Sequence, residues 1–579
     1  MDKRTFLALL LTALVIVLTP MIFRAISPPR QVTALPNRGG ATTTATPPAA
    51  GATDTAAKSP VAPPVSEPPA PARSNAIGGA VRAETTTIAR GKARYRFVSS
   101  GAVPATIGLA DYRDLRPMAR RDTATLASAT APGAPRGSAS PLLRYRLAIG
   151  ADTLALDTLS FRAEPAADAV TFTSVGTPRI VIRYQFAGDG YVTHVQGQVA
   201  SPLADSARAG AQLLVDLPQG LRSQEADTLD DARHLAVGYK LEHEVVKSVG
   251  FGKLDPAYVR TDSGPMTWVS VRTKYFLVAL LAPSPNAPIA ALRMQGGPRL
   301  DKLAPVAYAT AVLPVRAGQF AFDLYAGPQS WPALRAVGHD LENVNPYGGW
   351  IPGVQPFATI CMRILLWIRQ TLDVSYGWVL VIFGIAVRLL LWPLNQSAMR
   401  SSLKMQRLQP ELAEVQKRYK NDPERQREAL IKLYQQHGMS PFSPVMGCLP
   451  MLLPMPVLFA LFFVFQNTIE FRGVPFLWLP DISLRDPFYI MPIFMGISMF
   501  VLSWIGMRAA PPNPQTKMMS YMMPAVMTLV LLNFASGLNL YYAVQNIAAL
   551  PQQWLLTRER MKAAPKPAPA PLRGRRAAT

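Results

Sequence analysis

The chain has 579 residues, of which 49% are hydrophobic and only 16% charged, and its net charge is +23. That composition excludes a disordered polyelectrolyte and favours a membrane protein over a soluble one. The basic excess then has two readings, nucleic-acid contact or the positively charged cytoplasmic loops of a membrane protein, and the positions of the charges decide between them.

Residues 1–26 open with Lys3 and Arg4 and continue as an apolar run, "FLALLLTALVIVLTPMIF". No small-x-small cleavage site follows, so the run reads as an uncleaved signal-anchor helix with its N-terminus inside. Residues 27–77 are rich in Pro, Ala and Thr, cannot bury a core and read as a linker. From 78 to 345 the texture is strand-like, as in "TFTSVGTPRIVIRYQFAGDGYVTHVQGQV" and "MTWVSVRTKYFLVALLA". β-Branched and aromatic residues, partial alternation and Gly/Asp/Pro turns predict a large external β-sandwich domain.

Residues 350–373 predict an amphipathic helix at the membrane interface. Phe357, Ile360, Cys361, Ile364, Leu365 and Ile368 recur at helical spacing. A five-span helical core is expected over 374–557, with spans near 376–394, 447–467, 487–506, 518–535 and 538–557. Six spans in all are predicted, and the fold class is an α-helical polytopic bundle plus an all-β domain. Nine Lys/Arg lie in 395–438, against two, Arg472 and Arg485, in the connection 468–486. The basic tail 558–579 adds seven more. The positive-inside rule therefore places both termini and 395–438 in the cytoplasm and the β-domain outside.

Segment 395–438 predicts a cytoplasmic helical hairpin turning at Asn421–Pro423, with a basic exterior that includes Arg400, Lys404, Arg407, Lys417 and Arg418. Leu408, Leu412, Val415 and Tyr419 form its seam, facing Leu430, Leu433, Tyr434 and His437. Such a surface suits a docking element, because its five acidic residues do not cancel nine bases, although an inert solvated loop would look similar.

Two features inside the spans carry the functional reading. Arg388 lies within "VLVIFGIAVRLLLWPL". An arginine at mid-bilayer costs ~2.5–3.5 kcal/mol or more. In the last span Asn539, Tyr542, Asn546 and Gln553 fall on one helical face, with Gln545 beside them. Helix–helix hydrogen bonding alone would account for such amides. No Asp or Glu lies within the apolar stretch of any span, so Arg388 has no intramembrane counter-ion, and a water-filled cavity is expected. All five histidines lie outside the spans, and there is no phosphate-binding loop or dinucleotide fingerprint. Neither an enzyme, a cofactor, a metal nor a catalytic residue is expected.

"IAVRLLLWPLNQSAMRSSLKMQRLQPEL", "GCLPMLLPMPVLFALF", "DPFYIMPIFMGISMF", "MMSYMMPAVMTLV" and "SGLNLYYAVQNI" resemble, in order, the YidC-type membrane protein insertases. The resemblance covers about 350–560. The architecture before it is similar to the Gram-negative form, with its large periplasmic domain. It implies an insertase and chaperone of the bacterial inner membrane, working through a hydrophilic groove without nucleotide hydrolysis, alone or with the Sec translocon. It implies a groove of Arg388, Asn539, Tyr541, Tyr542, Gln545 and Asn546. Its implied partners are client membrane proteins, the lipid bilayer, and ribosome nascent-chain complexes held by the tail and hairpin, with no DNA. Gly384 stands where the family commonly has a polar residue, and Pro454 where it commonly has Gln. Two rivals remain at this level. One is a secondary transporter binding an anionic solute at Arg388, though no internal repeat is visible. The other is a sugar-active periplasmic domain on a membrane anchor.

Overall fold

The computed structural model describes residues 84–117, 119, 122–129, 140–150, 152–188, 190–200, 210–299, 304–345, 347, 354–420, 422–437, 455–508 and 514–563. The expected anchor 1–26, the linker 27–77, Cys448, Pro454 and the end of the basic tail lie outside the described residues.

The first strands, β1 (Thr85–Arg90), β2 (Ala93–Val98), β3 (Val103–Arg113) and β4 (Thr123–Ala127), form an antiparallel meander. There follow β5 (Arg144–Ile149), β6 (Asp152–Ala155), β7 (Phe161–Pro165), β8 (Ala169–Ser174), β9 (Arg179–Phe186), β10 (Val192–Ala200) and β11 (Gln212–Asp216). Next are β12 (Ala236–Leu241), β13 (Lys247–Gly250), β14 (Arg260–Arg272), β15 (Phe276–Leu281), β16 (Ile289–Gly296), β17 (Ala307–Pro314) and β18 (Gln319–Pro328). These fourteen form one large sheet in the order β6-β5-β11-β17-β16-β14-β15-β18-β10-β9-β8-β7, with β12 on β14 and β13 on β12.

The alternation read in the sequence is the alternation of burial. Tyr95 and Phe97 of β2 point inward, as do Ile180, Ile182, Tyr184 and Phe186 of β9. Across the two sheets Phe97 packs on Tyr184 and Phe172, with ring centroids 4.8 and 5.3 Å apart. The large sheet also closes on itself. Tyr145 of β5 and Tyr184 of β9 share a hydroxyl hydrogen bond of 2.8 Å, although seven strands separate β5 from β9 in the sheet order. Strand β14 makes this possible by changing partners. Its first half pairs with β16 and its second with β12 and β15, and the register breaks between Ser263 and Met266. Gly264, at φ +142°, and Pro265 supply the break. Each half of the sheet thereby covers the other's apolar face.

The helices are α1 (Thr228–Arg233), α2 (Trp331–Val337), α3 (Val354–Leu372), α4 (Tyr376–Arg418), α5 (Pro423–Gln436), α6 (Met455–Asn467), α7 (Ile490–Met507), α8 (Pro514–Leu531) and α9 (Ser536–Ala563). Among the described residues two helical stretches are long and apolar enough to cross a membrane, Tyr376–Pro393 and Ile490–Met507, and Ser520–Leu531 is a shorter apolar helix. Helix α4 does not stop at the end of its apolar stretch. It runs unbroken for 43 residues through Pro393 into the first arm of the hairpin.

Helix α3 is apolar on two sides rather than one. Ala358, Cys361, Met362, Leu365 and Ile368 are buried in the helical core, whereas Phe357, Ile360, Ile364 and Trp367 are exposed. The expected apolar face is thus shared between protein and surroundings.

The connection between α6 and α7 ties the helices to the β-domain. Ile469 joins the β-domain core. Arg472 donates through Nε to both carboxylate oxygens of Glu225, at 2.8 and 2.9 Å, and through Nη2 to the carbonyls of Arg113 and Gln224. Its guanidinium also lies over the Phe276 ring, 5.2 Å from the centroid. Asn345 donates to the Asn467 carbonyl at 2.7 Å, and Ser330 donates to Glu470 at 3.0 Å.

Burial raises the Glu470 carboxyl above its ordinary value of 4.5, against hydrogen bonds from backbone groups and from Ser330. Between 4.5 and the raised value the native state holds a proton that the unfolded chain has lost. The contribution is therefore complete below 4.5 and disappears as pH rises through the native value. Glu470→Gln is expected to flatten this fall, giving a higher melting temperature than the parent above the native value and no gain below 4.5. Melting curves of both proteins across that range check it, and identical pH profiles would refute it.

Candidate functional site

Arg388 is half-buried on α4. It lies twelve residues from Tyr376, roughly 18 Å along the helix at 1.5 Å per residue. Helices α4, α7 and α9 run parallel in the part that surrounds it. Contacts on α4 advance from Gly384 to Trp392 as those on α9 advance from Gln545 to Gln552. Contacts on α7 advance from Ser498 to Ile505 as those on α9 advance from Asn546 to Thr557.

Helix α9 carries two polar stripes, about 100° apart at 3.6 residues per turn. The first faces α4. Tyr541, 4% exposed, packs on Phe383 with centroids 6.1 Å apart. Gln545 donates to the Gly384 carbonyl at 2.8 Å and to the Tyr541 hydroxyl at 3.1 Å. Gln552 accepts from Arg388 Nη2 at 2.8 Å and donates to the Trp392 carbonyl at 3.2 Å. The second stripe faces α7 and α8. Asn546 donates to Ser498 Oγ at 3.0 Å. Asn539 donates to the carbonyl of Leu531, the last residue of α8, at 3.1 Å. Gln553 lies where a β-carbon on Gly506 would come within 2.7 Å of its amide nitrogen.

Of the expected groove residues, Tyr541 and Gln545 therefore stand on the Arg388 side, and Asn539 and Asn546 do not. Tyr542 is half-buried between the stripes, its ring 5.8 Å from that of Tyr541. On the face of Asn539, Tyr542, Asn546 and Gln553, Asn539 and Asn546 hydrogen-bond α8 and α7 and Gln553 lies beside Gly506. The residue that sequence reasoning passed over is Gln552. Its signal was present, since it lies seven residues after Gln545, two helical turns along the same stripe.

Gly384 has a structural account. A β-carbon there would lie 3.0 Å from Val544 Cγ1 and 3.6 Å from Tyr541. The small residue lets α4 and α9 approach closely, and its backbone carbonyl takes up the Gln545 amide.

The hairpin arms are the end of α4 and α5. Asp422 caps α5 by accepting from the Arg425 amide at 3.1 Å, and Leu408, Leu433 and Tyr434 are buried. His437 is exposed rather than in the seam and pairs with Glu411 at 3.1 Å. Lys417 and Arg418 are exposed. Arg400, Lys404 and Arg407 lie on the α4 backbone, and their side chains are outside the described set.

Comparison with known proteins bears on both halves. Residues 367–564 match the family model described as 60Kd inner membrane protein, and 154–360 match that described as YidC periplasmic domain. A membrane protein insertase YidC from Chlorobium phaeovibrioides is 33% identical over 396 residues, covering 65% of this chain and 66% of the relative. Another from Anaeromyxobacter is 34% identical over 309 residues, covering 53% and 54%. The chain thus spans between about half and two thirds of the length of these relatives. A crystal structure described as an active YidC insertase aligns with 82% of this chain and 93% of its own, at 18% identity and a TM-score of 0.33.

Proposed function

Because the chain belongs to the YidC-type membrane protein insertase family, we propose that it integrates and folds transmembrane segments of client proteins into the bacterial inner membrane. In this reading it is a six-span protein with both termini cytoplasmic and the β-domain periplasmic. It works alone or beside the Sec translocon, and ribosome nascent-chain complexes dock on its hairpin and basic tail.

The observation that carries the reading is Arg388, a charge within the otherwise apolar stretch Tyr376–Pro393 of α4 that donates to the neutral amide of Gln552. Client insertion needs no covalent step. A helix of ~20 apolar residues gains roughly 6–12 kcal/mol on entering lipid, at ~0.3–0.6 per residue. The obstacle is kinetic, because the polar tail flanking that helix must cross hydrocarbon at several kcal/mol per charge. A hydrated groove beside α4 and α9 shortens the crossing. Arg388 holds acidic groups of the tail in passage, and an inside-negative potential drives them outward by ~2.3 kcal/mol per charge per 100 mV.

The decisive experiment reconstitutes the purified chain in liposomes and follows a short single-span client by protease protection. Insertion well above that of empty liposomes is expected with no nucleotide present. Strict dependence on ATP or GTP, or no insertion at all, would overturn the proposal.

A further inference from the structure

Gln552 is 2% exposed, and both ends of its amide are engaged. That fixes its orientation. Nε2 is tied to the Trp392 carbonyl, so Oε1 must face the arginine, and a flipped amide would set NH₂ against guanidinium and oxygen against oxygen. Gln552 thus grips α4 at two levels one turn apart. It follows Pro551 directly, where α9 lacks an N–H for the carbonyl of Ile547 and its direction can adjust. Among the described residues, Nη2 of the arginine is engaged by a side chain and the buried Nε has no partner.

We propose that Gln552 is a positioning residue that sets which clients the site accepts. It orients Arg388 through a neutral acceptor and so leaves the positive charge available to a carboxylate on the client's translocated segment. A carboxylate at 552 would instead close a charge-assisted pair with the arginine and silence it. This inference rests on the groove reading given above.

The test uses the full chain in proteoliposomes and three single-span clients that differ only in an acidic, neutral or lysine-bearing tail. Gln552→Glu is expected to lower the acidic-to-neutral yield ratio by about tenfold, because the arginine is neutralised in place. It should also raise the lysine-to-neutral ratio, which a merely structural role would not do. Gln552→Leu, which keeps the bulk and removes the acceptor, is expected to lower the acidic-to-neutral ratio by about threefold through a misaimed arginine. It serves if the glutamate variant does not fold. Arg388→Ala separates the two levels of the argument. If it collapses the acidic-to-neutral ratio while both Gln552 variants leave the ratios at parental values, the groove stands and the role of Gln552 is overturned. If Arg388→Ala leaves the ratio unchanged, the groove reading itself falls and this inference with it.

Discussion

Arg388→Ala is expected to cut insertion of clients with acidic tails by one to two orders of magnitude, and to cost clients with neutral tails far less. The estimate follows from what the arginine offers. A hydrogen bond to a charged group contributes about 1.5–3 kcal/mol, and each 1.4 kcal/mol is about tenfold in rate. A rival account has the side chain snorkelling to the cytoplasmic surface and only anchoring α4. The hydrogen bond of 2.8 Å to Gln552 ties the guanidinium to α9, and the matched client pair decides between the two accounts. Arg388→Lys is expected to keep part of the activity. Charge would survive, while the reach to Gln552 and the planar donor set would not. A lone arginine moved to position 545, on the same stripe of α9, is expected to restore part of the loss. The measurement is insertion yield for a matched client pair. Equal losses for both clients would reduce Arg388 to a source of hydration.

Arg472→Ala is the second large effect, and it falls on stability. The Arg472 and Glu225 side chains are 3% and 8% exposed. Removing one partner of a buried ion pair leaves the other charge uncompensated and costs about 3–5 kcal/mol. Burial, with a smaller push from Asp231, already holds the Glu225 carboxyl up at about 7 against the pull of Arg472. Losing the arginine would raise it further. The Arg113 carbonyl and the face of Phe276 lose the guanidinium in the same step, and the Gln224 carbonyl keeps only the Leu115 amide. A fall in melting temperature on the order of 10 °C is expected. Protease sensitivity should rise where the α6–α7 connection meets the β-domain. Arg485→Ala is the control within the same connection, because Arg485 is exposed and, among the described residues, reaches Asn533 at 3.5 Å. It should change stability by no more than about 0.5 kcal/mol. Similar melting curves for the two variants would mean that the connection is not what secures the domain.

Much of this molecule was legible in its sequence. Period-two patterns such as "RIVIRYQF" announce strands with one buried face, because a strand's side chains alternate whatever its neighbours are. Apolar runs announce membrane helices, and Arg388 stands out because a charge in such a run is costly anywhere. The ordered motifs of residues 350–560 identify the family. Which residues face Arg388 was not legible. Helical periodicity gives the angle of every residue about α9 but not the direction of α4, and the two stripes differ by only about 100°. The packing of α4 against α9, which Gly384 allows, assigns Tyr541, Gln545 and Gln552 to the arginine and leaves Asn539 and Asn546 to other helices. The pairing of Arg472 with Glu225 spans 247 positions, and no local pattern encodes a contact at that separation. Both depend on which surfaces meet once the elements pack, and that is decided by the tertiary structure alone.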